Sequence, residues 1–334
     1  MTVSIFGSTI NGLATENSDM DLCITSPEMK DISDYKRIYL ENESNSIFNM
    51  DVLAKKLRSH GMCNITVVKK ARVPICTFQD QQYGIDCDIN VNNCLGIENT
   101  NLSVEYMKLD SRVKPFLFAF RLFVKSKGIN DCRKGFIGTC AYTMIGLHYL
   151  MFVQKPPVIP CLQKLTDAIC KSPDCHFKTA RPIGGCDVRY HDCVYIENVM
   201  SNCFINTLSV RRNDSTIWHS SNGKNVGELI IEVFQWLSST QNILKPMSIT
   251  SNGHIPREMN WRKHDAIFPD PFDLTRNIIS TCTAIGARVI SQEFERAYNH
   301  LRRGSNFVSV LNVNDRVPRP IDPKSMEYRF GPRR

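Results

Sequence analysis

The stretch "FGSTINGLATENSDMDLCI", Phe6 to Ile24, decides how this chain folds. It begins at the end of a short apolar run, Val3 to Phe6, turns at Gly7-Ser8, and after about ten residues enters a second apolar run, Met20 to Thr25. Asp19 and Asp21 punctuate that second run at positions i and i+2. In a strand this spacing sends both carboxylates from one face, with Cα atoms about 7 Å apart. A later stretch, "GIDCDINV", alternates with period two: Ile85, Cys87, Ile89 and Val91 fall on one face, Asp86, Asp88 and Asn90 on the other. Its acidic face calls for a partner.

Asp88 from a neighbouring strand would join Asp19 and Asp21 in a cluster of three carboxylates. Like charges that close repel strongly in a partly buried site, so the arrangement makes sense around a hard divalent cation with oxygen ligands. Read from the residues alone, Asp86 and Asp88 are both candidates for the third ligand. The Gly7-Ser8 turn is the complementary half, because a Gly-Ser pair after a strand lets backbone N–H groups and a hydroxyl approach phosphate oxygens.

The rest of the composition sets bounds. With 334 residues and 42% hydrophobic content, the chain has the material for one or two cores, and two domains are expected. A formal charge of +8 fits a polyanionic partner such as RNA. Fourteen cysteines are scattered through apolar segments, as in a reducing compartment. The longest apolar run, around "YTMIGLHYLMFV", is too short for a bilayer and holds a histidine, and "MTVSIFGS" has no charged n-region. These features point to a soluble protein of the cytoplasm, or alternatively the nucleus, with no membrane partner.

Residues 1–112 read as mixed α/β, with strands at Val3 to Phe6 and Met20 to Thr25, a helix from Met50 to His60 stopped by Gly61, and strands near Cys63, Val73 and Ile85. From Val113 the pattern becomes helical. "VKPFLFAFRLFVKSKGIN" is amphipathic with Gly128 as a stop, "GTCAYTMIGLHYLMFVQKPP" is a buried helix ended by Pro156 and Pro157, and "VGELIIEVFQWLSS" and "ISQEFERAYNHLRR" are helices. Residues 163–224 are polar and the least readable. A basic, Pro- and Arg-rich tail is expected over 304–334.

Taken together, "FGSTINGLATENSDMDLCI", "KARVPI", "DCDINVNN", "KLDSRVKPF", "KPPVIP" and "DPFDLTRN" resemble, in order and spacing, the noncanonical poly(A) polymerases and terminal uridylyltransferases of the DNA-polymerase-β-like nucleotidyltransferase superfamily. The resemblance implies an α+β fold: a mixed-sheet catalytic domain over 1–112, a mainly helical poly(A)-polymerase-associated domain over 113–303, and a cleft between them. It also implies that helices found before the first catalytic strand in relatives are missing here. Asp19, Asp21 and Asp88 become the catalytic, metal-binding triad, with Mg²⁺ or Mn²⁺ as cofactor and Asp88 favoured over Asp86. Gly7 and Ser8 would contact the triphosphate, and Asn93 and Asn99 the ribose, although loop-capping is the plainer role for such asparagines. Arg121 and Lys125, at i and i+4 on one helix, match the two basic positions that grip the triphosphate, with Arg121 where lysine is usual.

The chain departs from the family pattern in two places. Where relatives carry a Ser-Tyr pair whose tyrosine stacks on the base, this chain has Thr139 and Cys140; Tyr142 would have to substitute by a local shift, or base binding is weakened. In the late motif containing Asp270, uridylyltransferases have histidine where Arg276 stands. The expected activity is template-independent addition to an RNA 3′ end, with UTP as the favoured ribonucleoside triphosphate and adenylation or mixed use as the alternative. A second alternative is an inactive RNA-binding scaffold. A protein adaptor would select the RNA. Cys170, Cys175, His176, Cys186, His191 and Cys193 gather in one segment, but without a C-x-x-C pair they read as plain thiols rather than as a zinc site. "HIPREMNWRKH", His254 to His264, reads as a solvated loop or an RNA contact around Trp261.

Overall fold

The computed structural model describes residues 1–16, 18–26, 49–69, 71, 73–165, 170, 172–195, 216–250, 261 and 263–312. The chain divides into two compact units, 1–105 with 173–192 and 106–172 with 193–334. The sequence division at 112 leaves 173–192 in the helical part, whereas in the structure this excursion packs with the first unit. Among the described residues, no helix is long and apolar enough to cross a membrane.

The first unit is built on a mixed five-stranded sheet: β1 (Thr2–Phe6), β2 (Met20–Thr25), β3 (Cys63–Val68), β4 (Ile75–Asp80) and β5 (Ile85–Val91), in the order β1-β2-β5-β4-β3. The strand expected near Val73 begins two residues later. β1 and β2 are antiparallel, β5-β4-β3 form an antiparallel meander, and the two pieces join where β2 and β5 run parallel. Helix α1 (Ser8–Asn11) follows β1, and α2 (Met50–Ser59) begins at Asn49, whose side chain accepts the Asp51 N–H. Gly61, at φ +86°, follows the end of α2. Met50, Leu53 and Ala54 share one core with Ile24, Cys76, Phe78, Cys87, Ile89 and Val91, and Ile85 packs against it. Fully burying each large apolar side chain contributes about 1.5–3 kcal/mol. The apolar face of β5 is thereby fixed, and its pleat sends Asp86 and Asp88 the other way. Asn90, two residues on, is itself buried at the end of that face.

Helix α3 (Cys94–Lys108) follows β5. In the second unit α4 (Val113–Ser126) lays Phe116, Leu117, Phe120, Phe123 and Val124 into the core. Phe123 meets Phe234 at 4.4 Å and Phe294 at 5.1 Å between ring centroids. α5 (Thr139–His148) packs on α4 and continues as a wider π-type turn, Tyr149–Val153, before the prolines. Gly146 permits the close approach, because a Cβ there would lie 2.6 Å from Leu117 Cδ2. After α6 (His176–Thr179, in the first unit) come the short parallel strands β6 (Val194–Tyr195) and β7 (Thr216–Ile217). α7 (Val226–Leu237) starts at a capping box between Asn225 and Glu228 and is followed by α8 (Thr240–Leu244). The long α9 (Ala284–Arg302) packs on α7 and α8.

Arg112 explains why "KLDSRVKPF" reads as a motif. Its guanidinium holds Asp110 through two hydrogen bonds of 2.8 and 2.7 Å and donates to the Asn222 and Lys224 carbonyls at 2.6 and 2.7 Å, fastening the approach to α4 to the approach to α7. Within the tail expected over 304–334, Phe307–Asn312 form α10 with Val310 buried, and 313–334 lie outside the described residues. Most of "HIPREMNWRKH" also lies outside them, and Trp261 is buried at 8% exposure, which removes it as a surface contact for RNA.

Candidate active site

In the first unit, the register of the parallel joint pairs Asp21 with Asp88, so two acidic side chains stand on adjacent strands about 4.8 Å apart in the sheet. Asp86 lies opposite Gln79 on β4 and is exposed. Of the two, Asp88 is therefore the acidic neighbour of Asp21 across the joint. Asp19 sits just before β2 rather than within it, and is exposed. Asp88 is half-buried, and its carboxyl is held above the ordinary value first by burial and then by the charges of Asp19 and Asp86. The fold thus concentrates negative charge against a desolvation cost. Oxygen-only donors with that surplus fit a divalent cation such as Mg²⁺.

Gly7 is pressed against this cluster. Its backbone adopts φ +68°, ψ −143°, and a Cβ on it would fall 2.1 Å from Asp21 Oδ2. Only glycine lets the turn lie on the carboxylate. The Gly7 N–H is donated to Thr100 Oγ1 at 2.9 Å, and Thr100 in turn donates to the Gly96 carbonyl at 2.9 Å, so any phosphate contact of the turn starts from Ser8. Thr100 is a positioning residue that the sequence did not reveal, because nothing local marks a partner 93 positions away.

Asn93 Oδ1 accepts the Gly96 N–H at 3.3 Å at the start of α3, which is a capping role. Asn99 is part of α3 and its carbonyl accepts from Ser103 Oγ at 2.8 Å.

In the second unit, Arg121 and Lys125 do share a row of α4, with Arg121 buried at 9% exposure and Lys125 half-buried. Thr139 is the first residue of α5, and its Oγ1 accepts from Asn130 Nδ2 at 3.0 Å, while Cys140 is exposed. The expected substitution of Tyr142 for the stacking tyrosine fails. Tyr142 is fully buried, donates its hydroxyl to the Ile129 carbonyl at 3.1 Å, and stands edge-on to Phe120 at 5.7 Å, so its ring has no face to offer a base. Burial also holds its phenol well above the ordinary value. Accordingly Tyr142→Phe is expected to leave the nucleotide KM unchanged while lowering stability by about 1 kcal/mol through the orphaned carbonyl, measured by denaturant titration beside steady-state kinetics.

Asp270 likewise faces inward. At 2% exposure it accepts the N–H groups of Phe272 and Asp273 at 3.0 and 3.2 Å, and its Oδ2 lies 3.4 Å from the Arg276 guanidinium. These contacts shape the loop and tether Arg276. Asn277 closes the same loop by accepting from Phe268 and Ile279 N–H and donating to the Ala266 carbonyl. Arg276 keeps 44% of its side chain exposed, enough to meet a base.

Comparisons with known proteins agree on one group of enzymes. The model of the central palm domain of mitochondrial-like poly(A) RNA polymerases matches residues 1–108. Human (Homo sapiens) terminal uridylyltransferase 7 is 27% identical over 99% of this chain, and poly(A) RNA polymerase GLD2 of Xenopus tropicalis 25% identical over 92%. The chain spans about a fifth of the length of the first relative and about half of the second. Among solved structures, the Cid1 poly(U) polymerase with Mg and 3′-dATP superposes with a TM-score of 0.68 at 26% identity, covering 93% of this chain and 85% of that one. A cytoplasmic RNA terminal U-transferase gives a TM-score of 0.67 at 25% identity, covering 92% and 84%. Other Cid1 structures hold MgGTP and the short product ApU, each at 26% identity.

Proposed function

We propose that this chain, which belongs to the noncanonical poly(A) polymerase and terminal uridylyltransferase family, adds nucleotides without a template to RNA 3′ ends, transferring UMP from UTP. The observation that carries the proposal is the parallel register that sets Asp88 beside Asp21 under the Gly7-Ser8 turn, with Asp19 close enough to raise the Asp88 pKa. Relatives of both nucleotide preferences, and Cid1 structures with magnesium-bound nucleotides and an RNA-like product, support the same chemistry.

Asp19, Asp21 and Asp88 would hold divalent cations, Mg²⁺ or Mn²⁺. Bound there, such ions supply positive charge that eases ionisation of the RNA 3′-hydroxyl and neutralises the departing pyrophosphate. The new bond joins the 3′-oxygen to the α-phosphorus; the bond broken joins that phosphorus to the bridging oxygen, and the hydroxyl proton passes to solvent. Asp88 positions the attacking hydroxyl, while Ser8 orients the triphosphate from the turn. Arg121 and Lys125 add cationic charge for phosphate. A cytoplasmic location is part of the proposal, in keeping with the U-transferase neighbour, and so is an adaptor protein that selects the RNA.

A second reading, mixed use of UTP with ATP or GTP, is favoured by Arg276. Its guanidinium donates only, and is tethered to Asp270 at one end, so it serves uracil oxygens and guanine acceptors alike. Incubating the protein with an oligoribonucleotide, Mg²⁺ and each NTP separately tests both readings. Extension at least about tenfold faster with UTP supports uridylylation; comparable rates with two or more NTPs support mixed use. No extension with any NTP, or extension that persists in Asp19→Ala, rejects the enzyme.

A further inference from the structure

We infer that Cys170, Cys175, His191 and Cys193 form a tetrahedral structural zinc site. Cys175 Sγ lies 3.8 Å from His191 Nδ1, Cys193 Sγ lies 3.6 Å from Cys170 Sγ, and the four ligand atoms all lie within 4.8 Å of one another. Zinc bonds of about 2.3 Å to sulfur and about 2.0–2.1 Å to nitrogen, at tetrahedral angles, produce edges of roughly 3.5–3.8 Å. The Cys175–His191 and Cys170–Cys193 edges fall at that size. The set is local in the chain: Cys170 precedes Cys175 by five residues, Cys175 meets His191, and Cys193 follows His191 by two.

The surroundings hold the ligands in place and leave other donors out. All four residues are buried, with exposures of 4% for Cys170, 0% for Cys175, and 1% each for His191 and Cys193. The His191 ring is fixed flat against Phe177, at 4.2 Å and 9°. Asp192 Oδ1 accepts the His176 N–H at 2.9 Å, which locks the residues after Cys175 to those between His191 and Cys193. His176 stacks on Tyr190 at 4.1 Å and reaches Glu98 at 3.5 Å, so it is engaged elsewhere. Cys186 is only half-buried, in a turn closed with Ile183. The missing C-x-x-C pair, which made plain thiols the reading of the sequence, is replaced by a C-x4-C step and an H-x-C step brought together by this turn.

Three thiolates and one imidazole are soft and borderline donors that select zinc over magnesium, in contrast to the oxygen-only aspartate cluster. Binding releases the three thiol protons and leaves the four-coordinate centre with a charge of minus one. A closed, buried set with no open position is structural, holding the 170–193 segment together rather than doing chemistry. The inference is independent of nucleotide addition.

Metal analysis of the full chain, purified from zinc-supplemented medium without chelator, tests it. One zinc per chain is expected, falling at least about tenfold in Cys193→Ser and in His191→Ala and remaining in Cys186→Ser. Absence of zinc from the unaltered protein, or the same zinc content in all three variants, overturns it. Should the two ligand variants fail to fold, the unaltered chain reconstituted with Co²⁺ decides. Tetrahedral d–d bands with a thiolate charge-transfer band support the site, and an octahedral oxygen-only spectrum overturns it.

Discussion

Asp88→Asn is expected to end nucleotide addition and, in the same protein, to raise the melting temperature of the cation-free form. Asp88 is held above its ordinary 3.8 first by burial, then by Asp19 and Asp86. Between the ordinary and the raised value the folded protein binds more protons than the unfolded one, so stability falls as pH rises through that window, and above it ionised Asp88 is a standing cost. Asparagine keeps the shape and removes the charge. The gain in melting temperature should therefore be largest near neutral pH and vanish below the ordinary aspartate range, where the carboxyl is protonated in both states. On the proposed reading, in which Asp88 helps hold the cations, its loss should reduce incorporation on the order of 10³-fold. Thermal melts in chelator across pH, run beside the extension assay, read both effects. An unchanged melt with intact incorporation would remove Asp88 from the acidic cluster.

The second large effect is expected at Gly7. Gly7→Ala places a methyl group 2.1 Å from Asp21 Oδ2, in a backbone conformation that L side chains rarely adopt. The strain costs on the order of 1–3 kcal/mol, and the displaced carboxylate should lower incorporation by about 10²-fold or more. Gly84→Ala is the matched control. Its φ of +67° imposes a similar strain, yet nothing lies within 4 Å of the added Cβ. Comparable losses of melting temperature in the two variants, with incorporation lost only in Gly7→Ala, would locate the effect at Asp21. Equal loss of activity in both would reduce it to general destabilisation.

Much of this site was legible because strands and amphipathic helices write their geometry into sequence. The alternation of "GIDCDINV" placed Cys87, Ile89 and Val91 in the core and Asp88 outside it, and the pattern of α4 placed its phenylalanines. Tyr142 was illegible for a definite reason: every residue of α5 from Ala141 to His148 is buried, so no polar face marks which ring reaches solvent. Asp270 looked like a ligand residue because a buried loop-former and a substrate contact are both acidic. Its two backbone donors and Arg276 become visible only once the loop closes. Residues 173–192 return to the first unit through contacts that no local periodicity encodes, and the same fold-back creates the Cys/His cluster.

The sheet order has a consequence for how activity is acquired. β5, last of the five in the chain, occupies the middle position, and the β2–β5 joint unites a hairpin with a meander that are otherwise sequence-local. Asp21 and Asp88 face each other across that seam. On the proposed reading, a partly folded chain lacks the paired Asp21 and Asp88 carboxylates until this non-local pairing has formed, and cations held between them would stabilise the pairing that brings them together.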